Sequence, residues 1–558
     1  MGTVTRVNGP LVEVRDLAGA AMFELVLLGP YRLPGEIVRL SGSHATVQAY
    51  EYTGGLAPGD PADRGGAPLS ALLGPHLLGG VYDGLLRPLT GAGTWLDPAV
   101  SSSAAVARSW RFTPLVGQGG RVAPGTAIGR VEDAGSLPYL VLSPGGEVSA
   151  ISRPGRYPHD AAVAVVGGTE VRLTRSRQVR QALPYASRLD EAVPLVTGQR
   201  TIDLLLPVCL GGTAAVPGGF GTGKTVLLQQ IAKWCDADMV IYVGCGERGN
   251  EMADVVAELA ELPDPRTGGR LIERTVVIAN TSNMPMMARE TSIYTGVTVA
   301  EHFRDMGYAA VVIADSTSRW AEALREFASR SGTLPAEEGY PADLASALAA
   351  FYERAGRVVT LGGATGSVTI IGAVSPPGGD LTEPVTTQTE RFVRTLWALD
   401  RDLAYARHYP AISWRESFSR DAGALTRHDP ENASRRARVG RLLAEADRLT
   451  TLAELVGAGA LPARERIGLL AGRLLREGFL RQSSLSVRDA YCRASRTALI
   501  ADALLAVVER CQDLVEHDVP AAAVEDRDFS PVLRAKEAPE GEIAARRDAV
   551  LNDLETLR

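Results

Sequence analysis

The sequence predicts an α/β, multidomain chain: a parallel-sheet core, preceded by a small β-barrel, interrupted by a β-rich insertion and followed by a helical bundle. Three observations predict it. Residues 186–420 alternate strand-length apolar runs with helical patterns, residues 1–65 alternate polar and apolar residues between closely spaced turns, and strand signals fade after Pro430 in favour of a helical period. At 558 residues the chain exceeds one hydrophobic core, and a prior of ~150 residues per domain suggests three or four.

In chain order, the runs FELVLL, EIVRLSG and ATVQAYEY between Gly and Pro turns mark the barrel over 1–65. A loop-rich stretch, 66–110, holds GPHLLGGVYDGLLRP and is assigned with 186–420 to the core. Residues 111–185 are again strand-like, and their regular Gly spacing resembles the flattened sandwich of biotinyl or lipoyl carriers. Such carriers need a Lys at a hairpin tip, and no Lys precedes position 224, so this segment reads as a structural insertion. The core runs DMVIYVG, RTVVIANT, AAVVIAD and GSVTIIGAVS are continuously apolar, as a sheet covered on both faces requires. Residues 421–558, with ASRRARVGRLLAEADRLTTLAELV and ERIGLLAGRLLREGFL, read as a helical domain.

Composition narrows the function. A hydrophobic share of 45% with 22% charged residues is globular, and a formal charge of −7 disfavours a general nucleic-acid binder. The first residues lack a signal-peptide pattern, and no run approaches the ~18 apolar residues that span a bilayer, so a soluble chain is expected. Five cysteines, Cys209, Cys235, Cys245, Cys492 and Cys511, show no metal-ligand spacing and fit buried thiols in a reducing compartment. Only three of the 58 basic residues are lysines (Lys224, Lys233 and Lys536), so Lys224 stands in a chain that uses Arg almost everywhere else.

Gly218-Gly219-Phe220-Gly221-Thr222-Gly223-Lys224-Thr225 satisfies G-x-x-x-x-G-K-[ST], followed by a good helix from Val226. Such glycines turn backbone amides inward on phosphate oxygens, and the helix adds its positive dipole end. Lys224 would reach the β- and γ-phosphates and the Thr225 hydroxyl would bind Mg²⁺. AAVVIAD ends on Asp315 at a strand exit, where an acid would hold the Mg²⁺ shell; the alternative is an aspartate that merely starts a turn or caps a helix. Glu247, beyond DMVIYVG, is the candidate base for the attacking water; the alternative is a surface carboxylate paired with Arg248.

With these residues in place, the chain resembles the catalytic A subunit of V/A-type rotary ATPases over nearly its whole length. The likeness rests on TGQRTIDLLLP, GCGERGNEM, TSNMP with ARETSIYTG, ADSTSRWAEALRE, EEGYPA and GAVSPPGGD, with 111–185 resembling the bulge insertion of A subunits. It implies a RecA-like core binding ATP or ADP with Mg²⁺. It also implies Glu247 as the water-activating glutamate, Arg248 near the γ-phosphate, Asp315 as the magnesium-shell acid (acting through water) and Arg319 beside the transferred phosphate. The implied nucleotide contacts are 218–226, including Val226, with the aromatics Phe220 and Tyr409 near the adenine. Implied partners are a B-type subunit in an alternating A3B3 ring that supplies an arginine, and central and peripheral stalks. The location implied is cytoplasmic, peripheral to the inner face of the cell membrane, in a complex moving H⁺ or Na⁺. Three departures from the family pattern stand out: Ser413 replaces an Asn, Leu485 an adenine-pocket aromatic, and Thr222 the loop Cys of eukaryotic relatives. Two rivals are a hexameric motor of another kind, such as a secretion or helicase ATPase, and a non-catalytic ring subunit.

Overall fold

The computed structural model describes residues 2–91, 96, 108–264 and 266–557. They form two compact units: residues 1–190, 210–213 and 237–393 in the first, and 191–209, 214–236 and 394–558 in the second.

The first unit begins with β1 (Gly2–Asn8), β2 (Leu11–Arg15), β3 (Glu24–Leu28), β4 (Leu33–Ser41), β5 (His44–Ala49) and β6 (Pro61–Pro68). They close into a barrel in the order β1-β2-β5-β4-β3-β6, with antiparallel neighbours throughout. Alternation places Val4, Val12, Val14, Val26, Leu28, Ile37 and Val47 in its core. The insertion forms two four-stranded antiparallel sheets. One holds Arg121–Val122, Gly146–Ile151, Ala162–Val166 and Thr169–Arg172; the other holds Tyr139–Leu142, Ala127–Val131, Ser109–Pro114 and Gly155–Pro158.

The core sheet of this unit runs parallel in the order Thr365–Val374, Ala309–Asp315, Met239–Cys245, Thr275–Asn280, Val81–Tyr82. Every residue of Met239–Cys245 and of Thr275–Asn280 is buried, as expected of strands covered on both faces. The two-residue strand Val81–Tyr82, which the sequence leaves in a loop-rich stretch, takes the sheet's outer place. Helices α2 (Gly249–Glu261), α3 (Met286–Arg304) and α4 (Thr317–Arg330) follow the central strands. Helix α3 is buried along nearly all of its length.

In the second unit, Thr213–Pro217 pairs in parallel with Thr395–Leu396, which pairs antiparallel with Phe418–Ser419. The helix α1 (Lys224–Trp234) follows. The C-terminal region is helical, with Pro430–Val456, Ala463–Leu475, Ala494–Glu516 and Ile543–Glu555 as the long members. The first starts where Asp429 accepts a hydrogen bond from the Asn432 amide with Pro430 in the opening turn, and ends against Gly457. Its face carries Leu443 into a core with Leu470, Leu474, Phe479, Leu504 and Val508. Among the described residues no helix is long and apolar enough to cross a membrane.

Candidate active site

In the second unit the strand Thr213–Pro217, fully buried, delivers the chain to the glycine-rich loop. Gly221 and Gly223 have φ of 79° and 88°, left-handed values that glycine adopts without a Cβ penalty. Gly218 is needed for space: a Cβ there would lie 2.8 Å from both the Leu399 Cβ and the Thr222 Oγ1. The loop is tied to itself, with the Thr222 hydroxyl donating to the Gly219 carbonyl at 2.8 Å. The Lys224 ammonium donates to the carbonyls of Gly218 at 2.5 Å and Gly219 at 3.0 Å. Lysine is thus folded over the loop, its charge resting on carbonyl oxygens that phosphate oxygens would outcompete.

Helix α1 opens at Gly223 with no side-chain cap and no acid in its first turn, so the positive end of its dipole is not offset by a carboxylate of that turn. Thr225 sits half-buried in that turn, and Val226 is exposed beside it. Against the same loop lies Tyr409, whose ring carbon Cε1 is 3.4 Å from the place a Cβ on Gly223 would occupy. Tyr409 is 43% exposed, and its carbonyl accepts from the Gln482 amide at 2.8 Å. Phe220 and Leu485 are 90% and 95% exposed, apolar side chains facing solvent. Ser413 is buried, its amide donating to Ala398 and its Oγ accepting from the Glu416 amide at 3.3 Å.

The first unit gathers the acids. Gly244 and Asp315 are register partners at the ends of adjacent parallel strands, so Glu247 and Asp315 leave the sheet at neighbouring exits. Asp315 is buried, and its Oδ2 accepts a hydrogen bond from the Tyr242 hydroxyl at 3.0 Å. Burial pushes the Tyr242 phenol well above its usual range, with Asp315 adding to the effect, so it stays a donor.

Glu247 is pushed up to about 7: burial is the main cause, the negative charges of Asp315 and Glu251 add to it, a hydrogen bond shared with Glu251 adds more, and Arg319 opposes. The loop bearing Glu247 is packed tightly, since a Cβ on Gly246 would lie 2.8 Å from the Arg319 Cβ and 3.2 Å from Arg289 Cδ. Arg319 holds Glu322 through two contacts of 3.0 and 2.9 Å. The exposed Arg248 pairs with Glu251 at 3.6 Å, one turn on, because Glu251 falls in the opening turn of α2.

Glu247, Asp315 and Arg319 therefore share one corner of the first unit, while Arg248 lies at its exposed margin. Three further members are Tyr242, Glu251 and Arg289. Only the lone hydroxyl inside an apolar run signalled Tyr242, and nothing in the linear sequence distinguished the other two. Asp315 offers hard carboxylate oxygen at the strand exit, and among the described residues no three His, Cys, Asp or Glu side chains form a closed metal cage, so the corner suits a divalent cation that keeps much of its water. The hydroxyl of Thr225 is chemically suited to the same role.

Comparison with known proteins places these features. Residues 4–66 match the β-barrel domain of the ATP synthase alpha/beta family, 198–419 its nucleotide-binding domain, and 425–519 the C-terminal domain of V and A type ATP synthase. The V-type ATP synthase alpha chain of Anaeromyxobacter dehalogenans is 48% identical, over 99% of this chain and 98% of that protein. The A subunit of the A-type ATP synthase of Thermococcus onnurineus is 47% identical over 93% of this chain and 92% of that one. The assembled type III secretion ATPase EscN of enteropathogenic E. coli shares the fold, at a TM-score of 0.65 and 22% identity, covering 91% of this chain and all of EscN. Identity near one half across essentially the whole length, insertion and C-terminal helices included, carries the conclusion: the chain belongs to the family of V-type ATP synthase alpha chains and their A-type ATP synthase counterparts, the A subunits.

Proposed function

We propose that this chain is the catalytic subunit of a V/A-type rotary ATPase, hydrolysing or synthesising ATP at a Mg²⁺-dependent site coupled to H⁺ or Na⁺ transport. The observation that carries the reading is the gathering of Glu247, Asp315 and Arg319 at the exits of adjacent parallel strands in a chain of this family. Burial and neighbouring carboxylates push Glu247 up to about 7, which suits a base that activates water near neutral pH.

The amides of 218–226 and the Lys224 ammonium hold the phosphates, Thr225 and Asp315 hold the magnesium shell, and Tyr409 and Phe220 lie at the adenine. Magnesium, when bound, neutralises charge on the transferred phosphoryl group. Glu247 orients water and takes its proton, and Arg319 and Arg248 stabilise charge on the γ-phosphate. Assigning both sets of residues to one nucleotide rests on family membership. The same membership supports a B-type partner in an A3B3 ring that supplies an arginine in trans, worth ~10³ to 10⁵ in rate, with central and peripheral stalks and a place at the inner face of the cell membrane.

Glu247→Gln tests the reading. In the complex purified through a tag on this chain, ATP turnover is expected to fall at least ~10²-fold with nucleotide binding retained. Undiminished turnover would refute the catalytic assignment. Full-speed turnover by a verified monomer would refute the arginine in trans.

A further inference from the structure

Tyr242 sits in mid-strand, surrounded in sequence by Met239, Val240, Ile241 and Val243, and is itself buried. A phenylalanine would fill nearly the same volume there, so the hydroxyl is the feature to explain. In the parallel register Tyr242 pairs with Ile313, and Gly244 with Asp315. Residues two apart on a strand share a face, so Tyr242 lies diagonally across from Asp315 on one face of the sheet. The directly opposed position is Gly244, which has no side chain to offer; a Cβ there would fall 2.2 Å from the Met252 sulfur. Support for the carboxylate therefore comes from the diagonal, where the tyrosine is long enough to reach Oδ2 at 3.0 Å.

We propose that Tyr242 is a positioning residue for magnesium: its hydroxyl holds Oδ2 of Asp315 and fixes the carboxylate's rotation, which sets how this acid would meet the hydrated cation of a bound nucleotide. This rests on the reading of Asp315 as the magnesium-shell acid. A neutral donor suits the task better than Arg or Lys, because it orients the carboxylate without cancelling the charge that attracts the cation. Outer partners of this kind govern metal affinity by about 10- to 100-fold when removed.

The test compares ADP affinity of the full-length chain with Mg²⁺ and with EDTA, by calorimetry, in wild type, Tyr242→Phe, Asp315→Asn and the double variant. Expected is a fall of about 10-fold in the magnesium-dependent gain for Tyr242→Phe, with affinity in EDTA and the melting temperature little changed. Asp315→Asn should lose at least as much, and the double variant no more than Asp315→Asn alone. The proposal is overturned if Tyr242→Phe keeps the full gain while Asp315→Asn loses it, if the two losses add in full, or if Tyr242→Phe weakens binding equally in EDTA, which marks a packing role. If Asp315→Asn itself keeps the gain, the magnesium reading of Asp315 falls and takes the tyrosine's role with it.

Discussion

Arg200 and Asp489 form an ion pair with neither side chain exposed to solvent, Nη1 lying 2.5 Å from Oδ1. The arginine also donates to the carbonyls of Phe479 and Arg481, and its amide donates to the Gln482 side chain. Asp489 accepts in turn from the Ser483 amide at 2.7 Å. Two charges withdrawn from water persist only with such saturation, so removing one partner strands the other. Asp489→Ala should cost ~3–5 kcal/mol of stability, read in the full-length chain by urea titration of helical circular dichroism.

Lys224→Ala removes an ammonium whose resting contacts include two loop carbonyls. Charge-assisted hydrogen bonds contribute ~1.5–3 kcal/mol, so ATP affinity should fall about 10- to 100-fold with stability within ~1 kcal/mol of wild type, measured by calorimetry and thermal melting.

Glu247 gives turnover a definite pH dependence. A base must be ionised, and a carboxyl at about 7 in the free chain is mostly protonated below that value, so kcat/KM should fall on the acid side with a midpoint near 7. Because Glu251 raises it by charge and by a shared hydrogen bond, Glu251→Gln should move that limb to lower pH. Stability runs the opposite way. The folded state binds this proton more tightly than the unfolded chain, so the favourable contribution is complete below about 4.5 and is lost as pH rises through about 7. Glu247→Gln should accordingly melt higher than wild type at about pH 8, and the gap should close by about pH 5.

Tyr409 offers a half-exposed ring beside the last glycine of the phosphate loop. Aromatic stacking on a base is worth ~1–3 kcal/mol, so Tyr409→Ala should weaken ATP by at least about 5-fold while leaving tripolyphosphate affinity unchanged, and Tyr409→Phe should restore it. Equal weakening of both ligands would place the ring away from the base.

The barrel, the apolar core strands and the C-terminal helices were legible because each repeats a period long enough to stand out, as in Val12, Val14, Val26 and Leu28 on the barrel's inner face. The glycine-rich loop was legible because its chemistry is local: eight consecutive residues hold the turn geometry and the lysine. Val81–Tyr82 was not, since two residues carry no period and their place is fixed by pairing with Val277 and Ile278, far along the chain. The same limit hid Glu251 and Arg289, whose importance comes from what folding places beside Glu247. The alternative set beside Glu247 as base, a surface carboxylate paired with Arg248, followed adjacency in sequence, whereas helical spacing pairs Arg248 with Glu251.

The way the barrel shuts has a practical side. Its seam is short, Gly2 against Ala62 and Thr3 against Pro61, yet the strand that makes it is also the neighbour of β2 along its length. Trimming the first strand would bare the edge of β2, a row of unsatisfied amides and carbonyls ready to zip onto another molecule, and with it the short stretch of β6 at Pro61 and Ala62. A preparation shortened in this way should clump at concentrations where the intact chain stays dispersed, and an affinity handle is better attached at the other terminus, beyond the helix Ile543–Glu555.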